Sequence, residues 1–318
     1  MTTVASAPGK LMLAGEYAVA AGDAPAIACA VNRRLVVRCS GGEASWTVTS
    51  GALGLERVDV DAVPHLRAVV ERFAPPGSGG HLEVESALGV GAAKPGLGSS
   101  AALVVAASAA VRQEFGASTP SLEELVACHQ AGQGGGSGYD VATALLGGVC
   151  FFQKEGDSLS ARSVDWPEEL VGRVLNFGAG VSSSGQLRKL ERALAARPAE
   201  VGAALDAQCA AAVAVAGALE SQEPVLSLLV HHERTLLSLD RVADLGIESE
   251  RYRGVVSALG EREAFVRTAG AGAGDSAWIF ARSARELDVA CASLVEAGFE
   301  LLDIGVGGAG LHIQEGAR

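Results

Sequence analysis

The segment Lys94-Pro95-Gly96-Leu97-Gly98-Ser99-Ser100-Ala101-Ala102 carries the groups that bind a polyphosphate. Closely spaced glycines let backbone N–H groups converge on an anion, and a helix opening there adds partial positive charge. A serine hydroxyl beside the phosphates can reach Mg2+. The segment is not a Walker loop, because no G-x-x-x-x-G-K-[ST] occurs, nor a dinucleotide fingerprint, because Ala101 stands where the third glycine would be. The same glycines and serines would also serve a tight turn with a serine cap.

Two more segments could act with it. In Gly134-Gly135-Gly136-Ser137-Gly138-Tyr139-Asp140 a carboxylate follows a glycine loop, where it can orient or deprotonate an acceptor hydroxyl. Lys10, in Ala7-Pro8-Gly9-Lys10, could offset charge on a moving phosphoryl group. Lysine is scarce here, occurring only at 10, 94, 154 and 189, so two lysines in glycine-bearing segments stand out. Taken singly, Asp140 also reads as a loop aspartate and Lys10 as a solvated side chain. In Thr268-Ala269-Gly270-Ala271-Gly272-Ala273-Gly274-Asp275-Ser276 alternating Gly and Ala let backbone approach a ligand or another loop, or simply turn. A literal G-x-G-x-x-G at Gly305, Gly307 and Gly310 has no room for a following βαβ unit and reads as a tail.

The elements that must hold these residues follow from pattern. Strands are predicted over 26–37, 45–48 and 81–86, and the apolar run 99–115, free of Gly and Pro, predicts a buried helix opened by the first glycine segment and closed by Gly116. Ser121 and Glu124 form a capping box for a helix to about residue 130, and a strand is predicted at 148–153. The polar stretch 154–167 reads as a linker. Beyond it come a strand at 173–177, a Ser-rich turn at 181–185 and helices at 186–196, 198–216 and 224–239, with Pro198 and Pro224 in first turns. A strand at 277–281, a helix at 284–297 and a strand at 300–304 complete the pattern.

At 318 residues the chain has room for about two domains. A formal charge of −12 argues against a nucleic-acid binder, which needs excess Lys and Arg, but leaves a small anionic substrate open. Cys29, Cys39, Cys128, Cys150, Cys209 and Cys291 are dispersed, with no C-x-x-C pair, and read as reduced core residues. No leader pattern opens the chain, and its apolar runs are short or interrupted by Asp206 and Gln208. No membrane partner and a cytoplasmic location are therefore expected.

In this order the three segments, with Pro8-Gly9-Lys10-Leu11-Met12-Leu13-Ala14-Gly15-Glu16-Tyr17, resemble the galactokinase, homoserine kinase, mevalonate kinase and phosphomevalonate kinase (GHMP) superfamily. The resemblance covers most of the chain: the family's first motif resembles 7–19, its nucleotide loop 94–102 and its third motif 268–277. It implies an α+β, two-domain GHMP kinase fold. A ribosomal protein S5 domain 2-like ATP-binding domain would span 1–165, a ferredoxin-like C-terminal domain 166–318, with ATP and Mg2+ between them.

By the same resemblance, Lys10 and Asp140 carry the chemistry, Asp140 either taking the proton or orienting Lys10. Lys94, Gly96, Leu97, Gly98, Ser99, Ser100 and Ala101 hold the nucleotide, with Ser100 also on Mg2+. Ser137, Gly138, Gly270, Ala271 and Gly272 meet the acceptor. The turn Ser182-Ser183-Ser184 with Arg188 and Lys189 could grip an acceptor phosphate or only start a helix. Within the family, Ala93-Lys94, Gly136-Ser137-Gly138-Tyr139-Asp140-Val141 and Gly274-Asp275 resemble the phosphomevalonate kinases. Mevalonate kinases instead place a Mg2+-binding Glu eleven residues before the aspartate, where His129 stands here. A mevalonate kinase, another kinase of the family, and a catalytically silent nucleotide-binding regulator stay open.

Overall fold

The computed structural model describes residues 2–314 apart from 22–23, 90–95, 157, 179–182, 271, 273 and 275, with backbone only for 21, 155, 183 and 184. The chain opens with β1 (Thr2–Ala14), a short α1 (Ala18–Ala21) and the long β2 (Ala26–Gly41). Then come β3 (Trp46–Ser50), β4 (Leu55–Asp59), α2 (Pro64–Phe73) and β5 (Gly80–Ser86). Three helices follow, α3 (Ser99–Glu114), α4 (Leu122–Gln133) and α5 (Tyr139–Leu146), and then the hairpin β6 (Val149–Glu155) and β7 (Ser158–Val164). The second half runs β8 (Val171–Asn176), α6 (Ser183–Ala196), α7 (Pro198–Glu220), α8 (Leu226–Ala243), α9 (Glu250–Leu259) and β9 (Ala264–Thr268). It ends with β10 (Ser276–Ala281), α10 (Ala284–Glu296), β11 (Glu300–Leu302) and β12 (His312–Gln314).

Among the described residues the strands form two sheets. The larger runs β12-β1-β2-β5-β3-β4, with β6 and then β7 added beside β2; β3 and β5 pair in parallel and the other pairs are antiparallel. β1 alternates burial over its first residues and is then buried on both faces, because α3 covers it on one side and the second half of the chain on the other. α3 is buried at every position from Ala101 to Val111, so small and branched residues pack all round it and no polar stripe remains. The smaller sheet, β11-β8-β10-β9, is antiparallel. One of its faces packs Ile279 and Leu175 on α9 and α10 through Val255 and Leu294, while Trp278, Phe280 and Val174 on the other join the first sheet's core. This is an α+β fold.

The capping box at Ser121 is present, its hydroxyl accepting from Glu124 N–H and the Glu124 carboxylate accepting from Ser121 N–H. Other expectations need correction. The stretch read as a linker contains β7, whose Leu159 and Ala161 alternate inward with period two, a signal too short to stand out among Ser and Arg. Pro198 occupies the first turn of α7, but Pro224 lies before α8 rather than within it. Asp206 and Gln208 do not interrupt α7, which is long and apolar enough to cross a membrane by length and composition alone. Its Val201, Leu205, Val215 and Leu219 are buried inside the fold, and Gln208 is bonded there to His232.

The tail holding Gly305, Gly307 and Gly310 is built into the fold. Asn32 N–H donates to Gly305 O, Gly308 N–H to Ala30 O and Leu311 N–H to Leu145 O, before β12 pairs with β1. A Cβ at Gly308 would lie 2.4 Å from Val31 O and one at Gly310 2.3 Å from Leu145 O, so these glycines serve close backbone packing. All six cysteines are free. Burial raises the thiols of Cys29 and Cys39 to about 12, which leaves them unreactive.

Candidate functional site

β1 delivers Lys10 to the interior. Its register against β2 shifts between Pro8 and Lys10, at Gly9, where a Cβ would lie 2.6 Å from Leu88 Cδ2 and 2.7 Å from Leu97 O. Only glycine lets the chain 96–98 approach so closely. Lys10 N–H then donates to Leu97 O at 2.9 Å, and Lys10 Nζ reaches Gly96 O at 3.3 Å. Gly98 has φ +71, and a Cβ there would sit 3.0 Å from both Cγ and Cε of Lys10. The first two motifs are thus stacked, with the lysine 8% exposed.

Gly98 is the left-handed N-cap of α3; among the described residues no side chain caps the helix, and no acid lies in its first turn. Its first N–H groups are therefore open to a ligand oxygen, with the helix dipole in support. Ala101 is fully buried and Leu97 nearly so, so these two shape the turn and offer only backbone. Ser99 and Ser100 are half-buried, and Ser100 Oγ lies 3.2 Å from Nε2 of the buried His129 on α4. The His129 ring in turn packs 5.4 Å from that of His65 on α2.

The glycine loop before α5 runs in positive φ at Gly134, Gly135, Gly136 and Gly138. At Gly138 the side chain of Val126 would meet a Cβ at 2.7 Å, so the N-cap of α5 admits only glycine. Gln130 and Gln133 on the last turn of α4 hold the loop by donating to Gly136 O and Gly135 O, each at 2.7 Å. Asp140 stands in the first turn of α5, its Oδ1 accepting from Val141 N–H. Its neighbour Tyr139 links it to the lysine: Lys10 Nζ is 5.4 Å from the Tyr139 ring centre, and burial pushes the phenol up while the Lys10 charge opposes it. Ser137 is half-buried on the same loop.

The third motif reaches the same strand. Met12 N–H donates to Ala269 O at 3.0 Å, and the Trp278 indole to Met12 O at 2.8 Å. A Cβ at Gly270 would face open space, whereas at Gly272 it would strike Ile247 at 2.8 Å. The fold thus gathers Lys10, Gly96 to Ala101, Ser137 to Asp140 and Gly270 around β1. Lys94, Ser182, Ala271 and Asp275 lie outside the described residues, as do the side chains of Ser183 and Ser184. Arg188 is exposed on α6, and Lys189 is engaged elsewhere, donating to Leu245 O.

The sequence reading missed Tyr139, the two glutamines and a buried ionic cluster of Glu16, Arg267, Glu233 and His232. Glu16 stood inside the first motif but its partner is 251 residues away, and no local pattern pairs them.

Residues 63–148, which run from α2 to the end of α5 and hold Gly96 to Ala101 and Asp140, match the family described as GHMP kinases N terminal domain. The mevalonate kinase of Archaeoglobus fulgidus is 33% identical over 181 residues, a match covering 55% of this chain and 59% of that protein. Among solved structures, a Lin0012 protein from Listeria innocua superposes with a TM-score of 0.82 at 20% identity, over 99% of this chain and 100% of the other. Streptococcus pneumoniae phosphomevalonate kinase in complex with phosphomevalonate and AMPPNP gives 0.77 at 17%, over 96% and 99%. The segment that spans the helix opening at Gly98 thus resembles the GHMP kinases N terminal domain, and the fold of these solved structures is matched along nearly the whole chain.

Proposed function

We propose that the chain is an ATP-dependent kinase that transfers the γ-phosphoryl group to 5-phosphomevalonate, giving 5-diphosphomevalonate and ADP. The observation that carries this reading is the stacking of Gly98 on the stem of Lys10, which brings a buried cation to the uncapped, acid-free start of α3. Such a helix start suits a polyphosphate. The N–H groups of Ser99, Ser100 and Ala101 would take phosphate oxygens, Gly96, Leu97 and Gly98 shape the turn, and Lys94 is assigned to the same site from sequence.

Mg2+ suits the place as well. Ser100 offers an oxygen ligand, and among the described residues no group of three or more His, Cys, Asp and Glu makes a protein cage, so nucleotide oxygens and water would complete the shell. When bound, the ion neutralises phosphate charge. Lys10 then holds positive charge against the transferring group, and Asp140 either takes the acceptor hydroxyl proton or orients Lys10. Ser137, Gly138, Gly270, Ala271 and Gly272 line the acceptor side, and Ser182 to Ser184 with Arg188 grip its phosphate.

What favours a phosphorylated acceptor is His129. An imidazole, not a carboxylate, stands at Ser100, so an incoming dianion meets one negative charge fewer. The name of the Archaeoglobus fulgidus relative favours mevalonate as the second reading. We divide the chain at 165/166 into an ATP-binding and a C-terminal domain, with β12 crossing back to the first sheet. Six free cysteines, all but Cys209 buried, fit a reducing, cytoplasmic setting. Kinetics with each acceptor, reading ADP release, test the assignment: kcat/KM for 5-phosphomevalonate should exceed that for mevalonate at least ~10-fold, or ~1.4 kcal/mol. A preference for mevalonate overturns the acceptor. Nucleotide binding with no turnover of any acceptor overturns the kinase.

A further inference from the structure

Arg267 on β9 is fully buried, and every group on its guanidinium is engaged. Nε donates to Leu13 O at 2.6 Å. Nη2 donates to both oxygens of Glu16, at 2.6 and 2.7 Å. Nη1 donates to Glu233 Oε2 on α8 at 3.1 Å and lies 3.3 Å from His232 Nδ1. The anchors are themselves tied: Glu233 Oε1 accepts from Thr268 N–H, His232 Nε2 accepts from Gly15 N–H, and Gln208 on α7 reaches the same imidazole nitrogen.

Stability alone does not account for this cluster. Desolvating two carboxylates and a guanidinium opposes folding, and well-packed apolar residues would fill the volume at least as favourably. A guanidinium contributes direction: its planar fork fixes distance and angle at several acceptors at once. Here Leu13 and Glu16 lie in the first motif, while Arg267 itself leads into the third, whose Thr268 N–H donates to Glu233. Leu13 is three residues beyond Lys10, and Arg267 is three residues before Gly270. Between them runs the Met12 to Ala269 hydrogen bond that joins the two strands.

We propose that Arg267 is a positioning residue for the transfer reaction: through Leu13, Glu16 and Glu233 it sets the spacing between Lys10 and the third glycine-rich loop. The inference rests on the kinase reading above and assigns that site's geometry to a residue that touches no substrate. Its consequence is selective. The loop after β9 serves the acceptor, whereas the nucleotide cradle is fixed to Lys10 by its own contacts at Leu97 and Gly96. Loosening the clamp therefore affects the acceptor and kcat and spares the apparent affinity for ATP.

The test is steady-state kinetics on the full chain, varying ATP and acceptor separately, with Glu16→Gln, Glu233→Gln, Arg267→Lys and Leu294→Ala. The first two keep Arg267 and remove one hold each; Arg267→Lys keeps the charge and loses the fork. Leu294→Ala lowers stability from the core of the smaller sheet, away from the cluster. Expected is a loss of ~10- to 100-fold in kcat/KM for the acceptor in the cluster variants, the scale of a misplacement near 1 Å, with KM for ATP within ~2-fold of wild type. Arg267→Lys should not rescue. Leu294→Ala should lose melting temperature and keep both kinetic constants. Wild-type kinetics in folded Glu16→Gln and Glu233→Gln overturn the positioning role alone, as does an equal loss toward ATP and acceptor. A wild-type chain that binds Mg·ATP and turns over no acceptor sinks the kinase reading first, and this one with it.

Discussion

Gly98→Ala separates the catalytic use of the first two motifs from their contribution to the fold. At φ +71 an alanine there costs about 1–2 kcal/mol in backbone energy alone. The added methyl would lie 3.0 Å from Cγ and Cε of Lys10, a few tenths of an ångström too close. The neighbour is a flexible stem and not backbone, so it gives way cheaply. At about 2 °C per kcal/mol in a chain of this size, the melting temperature should fall by roughly 2–4 °C. What moves is the ammonium, away from Gly96 O and the Tyr139 ring. A displacement approaching 1 Å is worth up to ~10²-fold in rate, so kcat should drop about 10- to 100-fold, equivalent to ~1.4–2.7 kcal/mol of barrier. Gly54→Ala is the matched control: its φ is +65 and no atom lies within 4 Å of the added carbon, so it carries the backbone cost without touching the site. Calorimetry on both variants with an ADP-release assay decides. If Gly98→Ala loses as little activity as Gly54→Ala at a similar melting temperature, Lys10 does not act from its place against the loop.

Lys10→Met and Asp140→Asn should each lower kcat by ~10²-fold or more while nucleotide still binds, and the double variant should lose little beyond the worse single one, because on the proposed reading both serve one transition state. Calorimetric titration paired with turnover checks this. Mg·ATP at about 100 times its Kd should add ~2.7 kcal/mol of stability; no thermal shift in a folded sample would refute the cradle. Glu233, raised from 4.5 to about 7 chiefly by burial against the opposing Arg267 charge, contributes stability present below its unfolded value and lost as pH rises through its folded one. Glu233→Gln removes that dependence, so its melting temperature should gain on wild type between about pH 5 and pH 8; a constant difference would show that Glu233 does not titrate there.

The parts of the fold that a reader of the sequence could place are those whose cause is local. α3 announced itself by an apolar run free of breakers, and α4 by a capping box that the structure reproduces. β7 hid because a seven-residue strand rich in Ser and Arg offers two or three inward positions and no more. α2 and α9 were not read at all. α2 begins with Pro64 in its first turn and α9 with a Ser249 cap, but each spans only ten residues of mixed polarity and owes its place to what it packs against.

The candidate site divides along the same line. Glycines can be read from sequence as permission for close approach, but not as to what approaches. Gly9, Gly98, Gly138 and Gly308 meet Leu97, Lys10, Val126 and Val31, respectively, and every partner but one is on another element. The spacing G-x-G-x-x-G at 305–310 shows the ambiguity at its sharpest, since of the glycines that suggest a phosphate loop Gly305 packs on Asn32, Gly310 packs on the Leu145 carbonyl, and Gly307 turns the chain at φ +74. Charged residues are less legible still. Lys10 was visible because it stood among glycines, whereas Arg267 was one arginine in a short strand and Glu16 one acid after a glycine. Their pairing needs β1 and β9 side by side, a condition set only when two sheets share a core. A buried cation beside two carboxylates is costly to desolvate, so the chain keeps this cluster only where the surrounding packing holds all its hydrogen bonds at once. The same packing keeps the ammonium of Lys10, eight per cent exposed, pointed at the start of α3.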